Sequence, residues 1–365
     1  MLADDTIRRW ADLLADYCLQ VRPGETVVVA AETPALRLVD ACARAVVDRG
    51  GHPLVRLELP GLAEYVAVRA TDDQLAHLPA VPLYEAGSAD ARIRISAESD
   101  TRSMARVDPA RLAAIDRARR PIRAASSRKR WVLTQFPTQT YADDAKMDLA
   151  AYEAYVCRSM FLDTPEPAES WRALGRRQAG LAEFMTGANR IRIEGPGTDM
   201  TLDVGGRTWI NSDGRRNMPS GEIFTGPLES SANGRLRCGF PVCRGGREVV
   251  GIALEFVDGV VVSARADAGE DYLRSMLDLD PGARRLGELG IGLNAGIDRF
   301  TGSILYDEKI GGTVHLALGQ SYPETGGTNE SALHWDLIVD LRAEGRVWAD
   351  GRLAMEAGRW LVGHE

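Results

Sequence analysis

The sequence predicts an α/β N-terminal domain with a mostly parallel sheet, followed by a strand-rich α+β C-terminal domain. Three observations support this fold class. Helix-like and strand-like segments alternate over residues 1–135, which is typical of an α/β layer. From about residue 190, short β-branched runs separated by glycine turns replace that alternation. The length of 365 residues also exceeds the size at which a single core usually stops growing, so two domains are expected.

The first half shows a β-α-β order. Residues 7–21 have the apolar spacing of an amphipathic helix, and GETVVVAA at 24–31 is typical of a buried strand. A second helix is predicted over 35–51, where it ends in glycine, and a further strand over 52–59. This order predicts parallel strands. The segment after the first strand lacks the GxGxxG turn, so we predict no dinucleotide site there.

The second half begins with a helical region and continues as strands. A helical pattern covers residues 148–187, with a bend predicted at 164–170. The runs that follow read as antiparallel strands, and VDGVVV predicts a hairpin around Asp258 and Gly259. We therefore predict domains at 1–187 and 188–365.

Composition narrows the function classes. A net charge of -8 argues against nucleic acid as the main partner. Residues 101–130 run against this balance, with ten Lys or Arg and two Asp, and we interpret them as a solvated helix face and a basic loop.

The sequence also predicts the compartment. No run of 18 apolar residues occurs, which predicts no membrane span. The N-terminus lacks the charge pattern of a signal peptide, and the five cysteines form no CxxC pair. These features predict a cytoplasmic protein.

Two histidines near the C-terminus are candidate metal ligands. In HWDLIVDL, strand alternation places His334 and Asp336 on one face and an apolar row on the other. A histidine and an aspartate two residues apart on a strand suit a shared divalent ion, although a solvated strand face explains the segment equally well. His315, in GGTVHLALGQSYPETGG, has apolar neighbours, which are more typical of a core histidine.

Two glutamates stand in unusual settings. Glu222 lies between proline and glycine residues in NMPSGEIFTGP. Glu288 is the only charge in LGELGIGLNAG, and burying a carboxylate there is costly unless it meets a cation. Taken singly, each is also consistent with a surface turn.

Four segments, in this order, resemble the aminopeptidase T/aminopeptidase S family of metallopeptidases: NMPSGEIFTGP, LGELGIGLN, DEKIGGTVHLALGQSYPETGGTN and SALHWDLIVD. The resemblance is dense over 195–360 and thinner before that. It implies an α/β N-terminal domain and a strand-rich C-terminal domain that binds two divalent ions. It assigns the metal ligands to five residues, namely Glu222, Glu288, His315, His334 and Asp336. It also makes Tyr322 a catalytic residue that donates a hydrogen bond to the tetrahedral intermediate.

The resemblance implies an enzyme that releases N-terminal residues from short peptides by a two-metal-activated water. Zinc, cobalt and manganese all suit the mixed oxygen and nitrogen ligands. It further implies a homodimer, and no substrate-binding residue is assigned. The alternative is a mononuclear non-haem iron dioxygenase that opens a dihydroxypyridine-like ring. The chain also resembles that class of enzyme, which shares the fold and the HxD pair. Glu288 favours the peptidase, because the one-iron site does not need it. Next to the site in sequence, Asp307, Glu308 and Lys309 are interpreted as a salt-bridged turn.

Overall fold

A computed structural model of the chain describes residues 2–244 and 246–363, in two compact units. The first unit contains the chain up to Ala168 together with Gly214–Pro219. The second contains Glu169–Asp213 and the chain from Ser220 onwards.

Within the described residues there are twenty strands, which we number in chain order. Their bounds are β1 Thr26–Glu32, β2 His52–Glu58, β3 Ala91–Ser96, β4 Arg130–Gln135, β5 Arg190–Gly195, β6 Thr198–Asp203, β7 Ile210–Ser212, β8 Asn217–Met218, β9 Glu222–Thr225, β10 Asn233–Arg237, β11 Val242–Arg244, β12 Arg247–Val249, β13 Ala253–Val257, β14 Val260–Arg265, β15 Leu286–Gly292, β16 Thr313–Gly319, β17 His334–Asp340, β18 Arg346–Ala349, β19 Arg352–Glu356 and β20 Arg359–Trp360.

Eleven α-helices lie among the described residues. Their bounds are α1 Asp4–Asp12, α2 Leu36–Asp48, α3 Leu62–Arg69, α4 Asp72–Ala76, α5 Ala80–Ser88, α6 Pro109–Ser126, α7 Gln139–Asp144, α8 Leu149–Ser159, α9 Pro167–Thr186, α10 Glu270–Leu277 and α11 Ile304–Asp307. A π-helix, Leu13–Cys18, continues α1, so the helix predicted over 7–21 is present with a wider last turn. Among these helices, we find none long and apolar enough to cross a membrane.

The first unit is built on a five-stranded parallel sheet. Its strand order is β2-β1-β3-β4-β8, and every neighbouring pair is parallel. β1 lies inside the sheet, and its Val27–Ala31 segment is buried because both faces are covered. The predicted β-α-β order and the parallel sheet are confirmed.

The second unit is mostly antiparallel. One sheet has the order β14-β13-β10-β6-β5-β18-β19-β20, and another has the order β17-β16-β15-β9-β7. A large apolar core contains side chains from both sheets, including Ile193, Leu254, Ile291 and Leu337. The predicted hairpin is confirmed: β13 and β14 pair antiparallel, and Asp258 and Gly259 both have positive φ, as a tight hairpin turn requires. The predicted fold class is therefore confirmed in both halves.

The helix α9 belongs with the second unit from Glu169 onwards. Leu181, Ala182 and Met185 on this helix are buried in the core of the second unit. The sequence placed the boundary after this helix, between 187 and 188. A helical pattern shows that one face is apolar, but it does not show which core that face joins.

Candidate metal centre

One face of the β17-β16-β15-β9-β7 sheet carries all five predicted ligands. The opposite face supplies the core, with Val314, Leu316 and Leu318 from β16 and a matching apolar row from β17. His315 pairs with Ile338 across the β16–β17 ladder, and Asp336 pairs with Ala317. The alternation predicted for β17 is confirmed, and β16 alternates in the same way.

A β-bulge at Gly287 brings Glu288 to the ligand face. Leu286 pairs with Leu318, whereas Glu288 pairs with Ala317, so Gly287 is an extra residue in β15. Without it, Leu286 and Glu288 would point to the same side. The bulge allows Leu286 to join the core while Glu288 faces the other ligands.

The segment before Glu222 is held by backbone contacts. Gly221 has φ of 112°, and a β-carbon there would lie 2.6 Å from the Asn294 β-carbon. The Leu293 amide donates to the Gly221 carbonyl, and the Gln178 side-chain amide donates to the Glu222 carbonyl. Gly221 and these two hydrogen bonds therefore fix the backbone path into Glu222.

The donor atoms of the five predicted ligands form a continuous row. His315 Nε2 lies 3.6 Å from Glu222 Oε2 and 3.6 Å from Glu288 Oε1. His334 Nε2 lies 3.4 Å from Glu288 Oε2 and 3.6 Å from Asp336 Oδ1. The two oxygens of Glu288 thus face different imidazoles, and this carboxylate is the centre of the row.

These residues fit divalent ions. Glu288, His334 and Asp336 offer three ligand atoms within 4.8 Å of one another. Glu222 Oε2 and Asp336 Oδ1 are buried and lack a hydrogen-bond partner among the described residues. Each of these oxygens faces an imidazole Nε2 at 3.6 Å, too far for a hydrogen bond, and a cation bound between the two groups would stabilise the buried carboxylate.

Glycines make room for the site. Gly290 pairs with Phe224 on one side and His315 on the other. A β-carbon at Gly290 would lie only 1.9 Å from His315 Nε2, so the imidazole occupies the space that a side chain would fill. At Gly292, a β-carbon would lie 2.2 Å from the Ile310 carbonyl oxygen. The glycines in LGELGIG therefore leave space for the His315 ring and for the Ile310 backbone. The sequence analysis missed this role, and the spacing of the glycines around Glu288 was the only signal for it.

The two imidazoles differ in their outer contacts. His334 Nδ1 lies 3.0 Å from the Gln320 carbonyl oxygen. Donation to that oxygen places the proton on Nδ1 and leaves Nε2 free to bind a metal. His315 Nδ1 is buried without a hydrogen-bond partner among the described residues, so packing over Gly290 orients this ring instead.

Tyr322 stands at the edge of the row. Its ring centroid lies 5.2 Å from that of His334, in an edge-to-face arrangement, and 5.3 Å from that of Phe224. Its side chain is 38% exposed. The tyrosine therefore lies beside His334 in space, although it is closer to His315 in the chain.

Lys309 is the main residue that the sequence analysis undervalued. It is fully buried, and Nζ lies 3.6 Å from Glu222 Oε1 and contacts the Glu308 carboxylate. Thr301 donates to the buried Asp307 from both its amide and its hydroxyl. The expected salt-bridged turn exists, but its lysine reaches a predicted ligand, which the charge pattern DEK alone did not indicate.

In the metal-free protein, the pKa values of all five side chains in the row are shifted. Burial raises the pKa of Glu222 to about 7 despite the Lys309 charge, and burial together with the Glu308 charge raises that of Asp336 to about 6. Burial also acts on Glu288, but its contacts with His315 and His334 outweigh it and lower its pKa to about 2. Glu288 correspondingly outweighs the effect of burial on both imidazoles, raising the pKa of His315 to about 10 and that of His334 to about 9. Without metal, both imidazoles are therefore doubly protonated and positively charged at neutral pH.

Comparison with known families identifies a metalloprotease family. The family described as thermophilic metalloprotease (M29) matches residues 3–360. The chain belongs to this family. Its members include the proteins that the four motifs resemble, so the resemblance stated from the sequence is confirmed, as is the enzyme class of metallopeptidase hydrolase.

Individual relatives match over nearly the whole M29 chain. It is 27% identical to Aminopeptidase 2 of Geobacillus stearothermophilus, with 96% of this chain and 97% of the relative covered. It is 26% identical to Aminopeptidase T of Thermus aquaticus, with 98% and 99% covered. The solved structure of wild-type AmpT from Thermus thermophilus superposes with a TM-score of 0.86 at 25% identity, covering 98% of this chain and 99% of that one.

A more distant structure shares only the fold. The 2,5-dihydroxypyridine dioxygenase of Pseudomonas putida KT2440 superposes with a TM-score of 0.63 at 16% identity, covering 99% of this chain and 98% of that one. This likeness extends over both units but concerns architecture alone, because function depends on the site rather than on the fold.

Proposed function

We propose that this M29 protein is an aminopeptidase that releases N-terminal residues from short peptides with the help of two divalent ions. The observation that carries the proposal is Glu288, whose two oxygens face His315 and His334 at 3.6 and 3.4 Å. A carboxylate between two imidazoles, each with a further carboxylate beyond it, suits a bridging ligand. The aminopeptidase names of the full-length relatives support the reaction class.

Each ion would have its own ligands on either side of the bridge. Glu288, His334 and Asp336 would hold one ion, and Glu288, His315 and Glu222 would hold the other. Zinc, cobalt and manganese all suit such mixed ligands. Divalent ions held there would lower the pKa of a water molecule, polarise the scissile carbonyl and accept the free N-terminal amine of the peptide.

The chain's own groups would complete the chemistry. Tyr322 is proposed to donate a hydrogen bond to the oxyanion that develops on the scissile carbonyl. In the metal-free protein, burial and then the charge of Glu288 raise the pKa of its phenol. A phenol has an ordinary pKa of about 10, so a hydroxyl at this position can donate at neutral pH. Packing against Phe224 and His334 holds the ring at the edge of the row.

One preparation tests the proposal. Elemental analysis of metal-replete protein should give two ions per chain. Aminoacyl-nitroanilides and short peptides should be hydrolysed, whereas N-acetylated peptides should not, because acetylation removes the free amine. A single ion with Glu288 uncoordinated would refute the two-metal centre.

The iron dioxygenase alternative is not favoured, because the matching family and the full-length curated relatives are peptidases. It predicts oxygen consumption and loss of a dihydroxypyridine ring with ferrous iron in air. Observing this, together with no nitroaniline release under any metal, would overturn the peptidase proposal.

We also propose that the protein is a homodimer that acts on short peptides in the cytoplasm. The dimer is proposed from the family resemblance of the four motifs. Light scattering at micromolar concentration should give twice the chain mass of 39.7 kDa, and a monomer mass would contradict the dimer.

A further inference from the structure

Lys309 is a fully buried cation in a site that binds cations. Lysine is rarely buried completely unless it is paired. Here the side chain has 0% exposure, and its ammonium lies between the carboxylates of Glu222 and Glu308. A positive charge beside a metal centre repels the metal, so its presence there calls for a compensating role.

The geometry divides the two oxygens of Glu222 between two partners. Oε1 lies 3.6 Å from Lys309 Nζ, whereas Oε2 lies 3.6 Å from His315 Nε2 and has no hydrogen-bond partner among the described residues. One oxygen is therefore engaged by the lysine, and the other is directed into the ligand row.

The lysine itself is held from two sides. Glu308 contacts its ammonium, and the backbone that carries it lies against β15. A β-carbon at Gly292 would lie 2.9 Å from the Lys309 carbonyl carbon, which shows how closely the two segments approach. Both the backbone and the ammonium of Lys309 are thus fixed relative to the sheet.

We propose that Lys309 is a positioning residue that holds Glu222 by Oε1, so that Oε2 alone is presented to a divalent ion. Glu308 anchors the ammonium in that position. The proposal rests on the metal centre proposed above, and it gives the salt-bridged turn of Asp307, Glu308 and Lys309 a role in metal binding.

The proposal predicts an effect opposite in sign to that of a simple counter-ion. If Lys309 only balanced charge, its removal would strengthen metal binding, because a repulsive cation would be gone. If it positions Glu222, its removal weakens binding, because the carboxylate is free to rotate away. Residues that orient metal ligands typically change affinity by about 10- to 100-fold.

The test uses the full-length protein, stripped of metal with a chelator and titrated with zinc by calorimetry at constant pH. Lys309→Met keeps the length of the side chain and removes its charge. We expect one of the two ions to bind about 10- to 100-fold more weakly and the other to bind within about threefold of wild type. Lys146→Met, at an exposed lysine of the first unit, is the matched control and should not change either affinity.

Further measurements separate positioning from general destabilisation. A structural role alone would lower the melting temperature of the metal-free protein and leave zinc affinity unchanged. Lys309→Gln also removes the charge but keeps an amide that can donate to Glu222, so a positioning role predicts weaker zinc binding by a smaller factor, whereas a counter-ion role predicts tighter binding. This variant carries the test if Lys309→Met does not fold.

Each outcome decides a separate question. Unchanged or tighter zinc binding in both variants overturns the positioning role, even if the wild-type protein binds two ions. A wild-type protein that binds one ion refutes the two-metal function. In that case, weakening of the single ion by Lys309→Met still supports positioning, and no weakening refutes it.

Discussion

Replacing Gly290 by alanine should displace His315 from the metal centre. A β-carbon at position 290 would lie 1.9 Å from His315 Nε2 and 2.1 Å from Cε1, whereas ordinary contact begins at 3.4 Å. The imidazole must therefore move by about 1.5 Å. Zinc–ligand distances tolerate deviations of about 0.2 Å, so a shift of this size removes His315 as a ligand. Gly290 does not have a positive φ, so alanine would cause no backbone strain there. The clash with His315 is therefore the cause of the expected loss of metal binding.

The consequences are measurable without an activity assay. Overpacking of this kind costs about 1–3 kcal/mol, which should lower the melting temperature of the metal-free protein. Elemental analysis and calorimetry should show loss, or at least about 100-fold weakening, of one of the two ions. Peptide hydrolysis should fall accordingly.

Two comparisons make the prediction specific. Gly87→Ala is the control, because a β-carbon there meets nothing within 4 Å and the residue lies in helix α5, where alanine is favoured. In a His315→Ala background, Gly290→Ala should cost much less stability than in the wild type, because the clashing ring is absent. A Gly290→Ala protein that binds both ions with wild-type affinity would refute the reasoning.

Three further predictions follow from the site. Tyr322→Phe should keep both ions but lower kcat by about 10²-fold or more, the range for losing one oxyanion donor, and unchanged steady-state kinetics would remove the hydroxyl from the mechanism. Metal affinity should rise with pH: the pKa values of His315 and His334, about 10 and 9 in the metal-free protein, mean that binding displaces protons up to that range, by as much as tenfold per pH unit for each proton. Calorimetry in buffers of different ionisation enthalpy should detect the released protons, and a pH-independent affinity between pH 6 and 9 would contradict this. Asp307→Asn should stabilise the protein at pH 8 but not at pH 4, because burial raises the folded-state pKa of Asp307 from 3.8 to about 7. The folded state then binds the proton more tightly, so stability is lost as pH rises from about 4 to 7, on the order of 4 kcal/mol in the limit. Equal melting-temperature differences between variant and wild type at both pH values would disprove it.

The sequence alone was sufficient for features that depend on local alternation. On β17, side chains alternate between the core and the ligand face, so His334 and Asp336 could be assigned to one face from their spacing. The hairpin at Asp258 and Gly259 and the β-α-β order of the first unit were predictable for the same reason. The residues around His315 alone indicated a core histidine, and only the family resemblance made it a candidate ligand. The order of the four motifs indicated the peptidase family, and the chemical types of the candidate residues indicated a divalent metal ion without identifying it.

Only the tertiary structure decided which of these residues meet. Glu222 and Asp336 are far apart in the chain, and they join one row because β9, β15, β16 and β17 are neighbours in the sheet. Which residues of β15 face the core depends on the bulge at Gly287, because one extra residue exchanges the two faces of the strand. An alternating sequence pattern does not reveal such a bulge. The same holds for Lys309 and for helix α9. Their local sequence shows a charge or an apolar stripe, but the partner of each is set by long-range packing.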